Sequence, residues 1–125
     1  MRILIAEDNE NIRLALETSI KKVEPDYQVV SVTDGIAALA ALYRQPFDLM
    51  LTDYNMPGMT GIELAQKVRP ILPDMRIVLM SAQDIIEMRT EARHRNLDLD
   101  GYLQKPFTST QVREVVKHLE TQKLS

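Results

Sequence analysis

The sequence predicts an α/β domain in which helices cover both faces of a parallel β-sheet. Short apolar runs, typical of buried strands, alternate along the chain with longer segments whose apolar residues recur every three or four positions. Hydrophobic residues make up 45% and charged residues 26% of the composition, which is typical of a folded globular domain. The length of 125 residues suits one domain that spans the whole chain, 1–125.

The first half of the chain is predicted to contain three strands, at 3–6, 29–32 and 47–52. Two helices are predicted between them from apolar residues that share one helix face. These residues are Ile12, Leu16, Ile20 and Val23 in the first helix and Ile36, Leu39, Ala40 and Tyr43 in the second. Pro25 is predicted to end the first helix, because proline lacks the backbone N–H that a helix interior needs.

The second half is predicted to contain two strands, at 77–80 and 102–103. Helical spacing recurs in two segments, at Ile62, Leu64, Ala65 and Val68 and at Val112, Val115, Val116 and Leu119. The segment 84–96 is rich in arginine and glutamate and predicts a loosely attached, solvated helix. Thr108 and Gln111 have the spacing of a capping box, which predicts where the last helix begins.

Composition excludes several classes of protein. The chain has no cysteine, which excludes a disulfide scaffold, a thiolate zinc site and a cysteine nucleophile. A net charge of −3 makes a direct nucleic-acid contact a poor expectation. The longest apolar run, 36–43, is too short to span a membrane, and Glu7 and Asp8 interrupt the apolar start where a signal peptide would continue. We therefore expect a cytoplasmic protein.

Polar residues follow the predicted strands at their carboxyl ends. Glu7 and Asp8 follow the first strand, and Asp53 follows the third. Ser81 and Lys105 follow the fourth and fifth. Because ligands of parallel sheets bind beyond the carboxyl ends of the strands, we expect these side chains to lie at one edge of the sheet.

Three carboxylates at such close range would repel one another unless a cation were present. Lys105 offsets one charge, and Mg²⁺, which prefers oxygen ligands, would offset the rest. The pocket then suits a phosphoryl group: Ser81 could donate a hydrogen bond to it, and Asp53 could act as the nucleophile that forms an acyl phosphate.

Each of these residues also has a simpler interpretation when taken alone. Acidic residues at strand ends are often only solvated, and Asp8 could instead cap the following helix. Ser81 could likewise be a helix cap, and Lys105 a surface residue. The coincidence of such residues at four strand ends favours a shared site.

Three segments carry a resemblance to a known family: DLMLTDYNMPGMTG at 48–61, IVLMSA at 77–82 and GYLQKPF at 101–107. Together with LIAEDN at 4–9, they make the whole chain resemble the receiver domain of two-component response regulators, chemotaxis receivers among them. The resemblance implies a flavodoxin-like, doubly wound sheet of five parallel strands in the order 2-1-3-4-5, with five helices.

The resemblance also implies roles for individual residues. Asp53 matches the phosphoacceptor, which takes its phosphoryl group from a sensor histidine kinase or phosphotransfer protein. The ligands of Mg²⁺ would be Glu7, Asp8, Asp53 and the backbone carbonyl of Asn55. Ser81 and Lys105 match the residues that contact the phosphoryl group.

Tyr102 matches the aromatic switch residue that turns inward on activation. The resemblance further implies a downstream effector that binds around the fourth helix, fifth strand and fifth helix, and dimerisation on phosphorylation as an option. The bond between Lys105 and Pro106 is commonly cis in the family. The chain departs from the usual pattern at Asp98-Leu99, which stand where the family often has Gly-Ala.

Other functions that this fold can carry need residues that the chain lacks. An aspartate-nucleophile phosphatase would need a second aspartate two residues after Asp53, where this chain has Asn55. A nucleotide- or flavin-binding module would need a glycine-rich loop after the first strand, and no glycine lies there. A receiver that only docks partners is disfavoured because all five site residues are present. We therefore predict a switch rather than an enzyme with an external substrate.

Overall fold

Five strands and five helices alternate along the chain in the computed structural model, which describes the backbone of residues 1–124 and the side chains of residues 1–120. In chain order they are β1 (Arg2–Ala6), α1 (Glu10–Val23), β2 (Gln28–Val32), α2 (Gly35–Arg44), β3 (Leu49–Asp53), α3 (Gly61–Val68), β4 (Arg76–Ser81), α4 (Ile85–His94), β5 (Gly101–Gln104) and α5 (Ser109–Leu124).

The strands form one parallel sheet in the order β2-β1-β3-β4-β5. The predicted flavodoxin-like order is confirmed. The order reverses between β1 and β3, which pair directly with Ile3 beside Leu49 and Ala6 beside Thr52. The loops that leave these two strands therefore open into a crevice at the carboxyl edge of the sheet, where doubly wound folds bind ligands.

Helices cover both faces of the sheet. Residues of α2, α3 and α4 pack against Leu4, Ala6 and Met50 on one face. Residues of α1 and α5 pack against Ile3, Ile5 and the neighbouring strands on the other. Side chains alternate between the faces along a strand, so a central strand covered on both sides must be apolar throughout. All five residues of β3 are buried, including the two polar ones at its end.

Three predicted elements differ from the structure in detail. The apolar face predicted for α2 is wrong: Ile36 and Tyr43 are 72% and 76% exposed, and Ala38 is buried instead. The apolar run 47–52 is not strand throughout, because β3 begins only at Leu49. Phe47 is buried although it lies before the strand. The side chain of Asp48 accepts a hydrogen bond from the backbone N–H of Arg2 at 2.8 Å.

The helix predicted over 84–96 is α4. Most of its residues are exposed, as expected, but Met88 and Ala92 are fully buried and attach it to the sheet.

Other local predictions are confirmed. Thr108 and Gln111 form the reciprocal hydrogen bonds of a capping box at the start of α5. The peptide bond between Lys105 and Pro106 is cis. Within the described part of the chain, no helix has the length and apolar character needed to cross a membrane.

Candidate functional site

The polar residues that follow the strands meet at one edge of the sheet. Glu7 follows β1 directly, Asp53 is the last residue of β3 and Ser81 the last of β4. All three are buried, whereas Asp8 is exposed. Lys105 follows β5, and its backbone N–H donates to the carbonyl of Ser81 at 2.7 Å, which extends the β4–β5 pairing into the site.

Three carboxylates form the acidic part of the site. Glu7, Asp8 and Asp53 each place a carboxylate oxygen within 4.8 Å of the others. Glu7 is 0% and Asp53 6% exposed, so their charges are poorly solvated. This set of oxygen donors fits a hard cation such as Mg²⁺, which is bound by a few carboxylates and water. The sequence-predicted cluster is thus present in the structure.

Lys105 joins two of these carboxylates. Its Nζ lies 2.8 Å from Oε1 of Glu7 and 3.1 Å from Oδ1 of Asp53. Burial lowers the pKa of Lys105, but hydrogen bonds to Glu7 and Asp53 outweigh burial, and the pKa lies above its ordinary value. Burial raises the pKa of Glu7, against the hydrogen bonds from Lys105 and from the backbone N–H of Asn9. The ammonium group of Lys105 thereby partly neutralises the carboxylates of Glu7 and Asp53.

The loop after β3 is tightly fixed to the sheet and to α3. The N–H of Tyr54 donates to the carbonyl of Met80 at 2.7 Å, and the N–H of Gly61 donates to the carbonyl of Tyr54 at 2.8 Å. A Cβ on Gly61 would lie 2.3 Å from the backbone oxygen of Asp53. Asn55 lies two residues beyond Asp53 in this loop and is exposed.

Ser81 and Tyr102 lie on the neighbouring strands β4 and β5, where Tyr102 pairs with Leu79, two residues before Ser81. The Oγ of Ser81 accepts a hydrogen bond from the N–H of Gln83 at 3.1 Å, but the cap of α4 is Asp84. Tyr102 on β5 is half-buried, and the guanidinium carbon of Arg89 lies 5.3 Å from its ring centre. This distance is typical of a cation–π contact.

Sequence reasoning missed two supporting residues. Asn9, rather than Asp8, caps α1: its Oδ1 accepts from the N–H of Ile12 at 3.0 Å, which leaves the carboxylate of Asp8 free for the cluster. Arg13 donates to the backbone carbonyl of Glu7 at 3.0 Å. Asparagine before a helix is a recognisable capping signal, whereas nothing in the spacing of Arg13 pointed to this contact.

Comparison with known proteins shows to which family the chain belongs. The response regulator receiver domain family matches residues 3–117. The transcriptional regulatory protein TctD of Salmonella typhimurium is 36% identical over 107 residues, which are 86% of this chain but 46% of TctD. The chain thus spans about half the length of that relative. Sporulation initiation phosphotransferase F of Bacillus subtilis is 31% identical over 93% of this chain and 90% of its own length.

A solved structure agrees with this assignment. The chemotaxis response regulator CheY4 of Vibrio cholerae superposes with a TM-score of 0.84 at 26% identity, over 94% of this chain and 97% of CheY4. Receiver domains are signalling domains that bind Mg²⁺ at an acidic pocket, and the carboxylate cluster described above lies at the expected edge of the sheet. The chain belongs to the family of response regulator receiver domains of two-component signalling.

Proposed function

We propose that residues 1–125 form one receiver domain that acts as a phosphorylation-dependent switch, with Asp53 as the phosphoacceptor. The observation that carries this proposal is the arrangement of Asp53 between Lys105, at 3.1 Å, and the carboxylates of Glu7 and Asp8. This arrangement suits phosphoryl transfer, because a carboxylate nucleophile at the end of a buried strand has a lysine on one side and ligands for a metal ion on the other.

In the proposed reaction, an oxygen of Asp53 attacks the phosphorus of a phosphohistidine on a sensor histidine kinase or phosphotransfer protein. The P–O bond forms as the P–N bond breaks, and the electron pair leaves with the imidazole, which takes up a proton. Lys105 would remain paired with the site and offset charge on the phosphoryl oxygens, and the hydroxyl of Ser81 would donate to one of them. Mg²⁺, held by Glu7, Asp8, Asp53 and the backbone carbonyl of Asn55, would neutralise further oxygen charge.

The consequence of phosphorylation is proposed to be a change of surface. A phosphoryl group adds negative charge and new acceptor oxygens at the edge of the sheet. Movement of Ser81 toward it would leave space for Tyr102 to turn inward and would alter the surface formed by α4, β5 and α5. An effector that prefers the altered surface would then bind the phosphorylated form. Dimerisation through the same change is a further option of this switch.

The proposed role is that of a substrate of phosphotransfer, without turnover of an external substrate and without direct contact with nucleic acid or membrane. A phosphatase is disfavoured because Asn55 offers an amide where such an enzyme needs an acid. The lack of cysteine fits a reducing compartment, and we propose a cytoplasmic location.

Phosphorylation is tested by incubating the protein with acetyl phosphate and Mg²⁺ and locating the adduct by mass spectrometry. We expect one phosphoryl adduct on Asp53, no adduct in Asp53→Asn, and an unchanged adduct in Asp26→Asn, which alters an exposed aspartate in the turn before β2. The absence of an adduct on wild-type protein, together with no Mg²⁺-dependent binding of beryllofluoride, would contradict the proposal.

A further inference from the structure

Tyr54 forms a side-chain contact that the proposed phosphotransfer does not use. Its phenol donates a hydrogen bond to Oε1 of Glu91, on α4, at 2.8 Å. The same glutamate lies 3.8 Å from Arg95, which also donates to Gln66 of α3 at 3.2 Å. The residue that follows Asp53 in the chain is therefore linked directly to the C-terminal half of α4.

The base of the Tyr54 side chain is held rigidly. Its backbone N–H is bonded to Met80 of β4, and its carbonyl accepts from Gly61 at the start of α3. Its ring packs at the edge of the core that α2, α3 and α4 cover. The backbone of Tyr54 is thus fixed and its ring is packed against the core, so a movement of α4 away from β3 would lengthen or break the bond to Glu91.

Few apolar side chains of α4 are buried against the sheet. Met88 and Ala92 are its fully buried residues, whereas Ile86 is 71% exposed. A helix with a small buried face obtains a large share of its positional stability from individual polar contacts. The hydrogen bond from Tyr54 is such a contact, and it joins α4 to the strand that carries Asp53.

We propose that Tyr54 is a positioning residue that couples Asp53 to α4, because its hydrogen bond to Glu91 holds α4 in the position found with the Asp53 carboxylate paired to Lys105. This inference rests on the proposed function. A contact made in one conformation and lost in the other shifts the equilibrium between them by its own free energy. By reciprocity, removal of the bond favours any ligand of the Asp53 site that prefers the moved helix.

The test measures Mg²⁺-dependent affinity for beryllofluoride, a mimic of the phosphoryl group, together with hydrogen exchange of α4. Tyr54→Phe removes only the hydroxyl. We expect it to bind beryllofluoride about fivefold more tightly than wild type, as loss of one part-buried hydrogen bond of ordinary strength predicts, and to exchange α4 amides faster before the mimic is added. Glu91→Ala should act in the same direction, since alanine keeps the helix favourable.

Two variants serve as matched controls. Glu91→Gln keeps an acceptor oxygen for Tyr54 and should stay within about twofold of wild type. Glu87→Ala removes an exposed carboxylate one turn earlier on α4 and should not change the affinity. A purely structural role of Tyr54 would instead lower the urea midpoint of unfolding without tightening beryllofluoride binding.

The outcomes separate the two proposals. If wild type binds beryllofluoride with Mg²⁺ but Tyr54→Phe and Glu91→Ala bind it no more tightly, the coupling role is wrong and the phosphorylation switch stands. If wild type itself shows no Mg²⁺-dependent binding, the switch is wrong and the coupling role falls with it. Tighter binding in both variants, with Glu91→Gln close to wild type, supports the coupling role.

Discussion

At the scale of single residues, the site depends on the balance between a buried acid and a lysine. Glu7 is fully buried and would be unfavourable as a charge without the ammonium group of Lys105 at 2.8 Å and the N–H of Asn9 at 3.1 Å. The same lysine reaches Asp53. Part of the stability of the fold therefore resides in the residues that are proposed to carry its function.

Lys105→Ala is expected to leave the protein folded but to lower its free energy of unfolding by about 2 kcal/mol at neutral pH, because a buried carboxylate loses its charged partner. Burial already raises the pKa of Glu7 above its ordinary 4.5, and loss of Lys105 removes a group that lowers it. The folded variant then binds protons more readily than the unfolded chain does, so its stability falls as pH rises above about 4.5.

Urea unfolding at pH 5 and pH 7.5 measures this effect, and the deficit relative to wild type should be larger at pH 7.5. Lys67→Ala, which truncates an exposed lysine on α3, is the control and should unfold as wild type does at both pH values. The same Lys105 variant should also fail to change its effector affinity on phosphorylation. An equal deficit at the two pH values would show that Glu7 does not depend on Lys105 for its charge.

At the scale of elements, α3 fixes the end of β3. Gly61 begins α3 directly against the backbone of Asp53, and the capping box of Thr60 and Glu63 sets where the helix starts. Glycine is needed at this position because any side chain would collide with the strand. Gly58 in the same loop is needed for a different reason, since its φ of +78° is unfavourable for residues with a Cβ.

Gly61→Ala is expected to displace the end of β3 and to slow phosphorylation of Asp53 by acetyl phosphate at least about tenfold, because small misplacements of reacting groups are costly. Gly58→Ala is the control: its Cβ would meet open space, so it should cost about 1 kcal/mol of stability through backbone strain but leave phosphorylation nearly unchanged. The time course of the adduct by mass spectrometry gives both rates. Equal rates in the two variants would argue against this role of Gly61.

Regular apolar spacing predicted the existence of the elements, but not always their buried face: in α2 it pointed to Ile36 and Tyr43, which are exposed. The apolar run 47–52 predicted a start for β3 that is two residues too early. Phe47 is buried but lies before the strand, and apolar spacing alone does not distinguish a buried loop residue from a strand residue. The sparse apolar residues of 84–96 indicated a solvated helix, and only packing shows that Met88 and Ala92 are its buried attachment. The hydrogen bond between Tyr54 and Glu91 joins residues 37 positions apart, and no local pattern indicates it.

At the scale of the whole molecule, the strand order brings together charges that the chain keeps far apart. β1 and β3 are neighbours although about forty residues separate them, and their ends form the acidic cluster. Three carboxylates this close destabilise the fold when no cation offsets them. We therefore expect a divalent cation to stabilise the whole domain and not only its site.

Addition of Mg²⁺ at a hundredfold excess over its dissociation constant should raise the free energy of unfolding by about 2.7 kcal/mol, and a chelator should reverse the gain. Asp8→Asn, which removes the exposed acid of the cluster, should lose most of this gain and be at least as stable as wild type without Mg²⁺, since it relieves repulsion. Calorimetry at matched ionic strength measures both effects. A variant that gains as much from Mg²⁺ as wild type would exclude Asp8 as a ligand.

The sequence by itself determined the class of fold and the family, and it predicted the candidate site residues, because these depend on apolar periodicity and on motifs within short segments. Only the tertiary structure decided how the site residues pair: Lys105 with both Glu7 and Asp53, Asn9 rather than Asp8 as the cap of α1, and Tyr54 with Glu91. The physical reason is that periodicity reports which face of an element is buried, whereas a contact between elements depends on the order and register in which the sheet assembles.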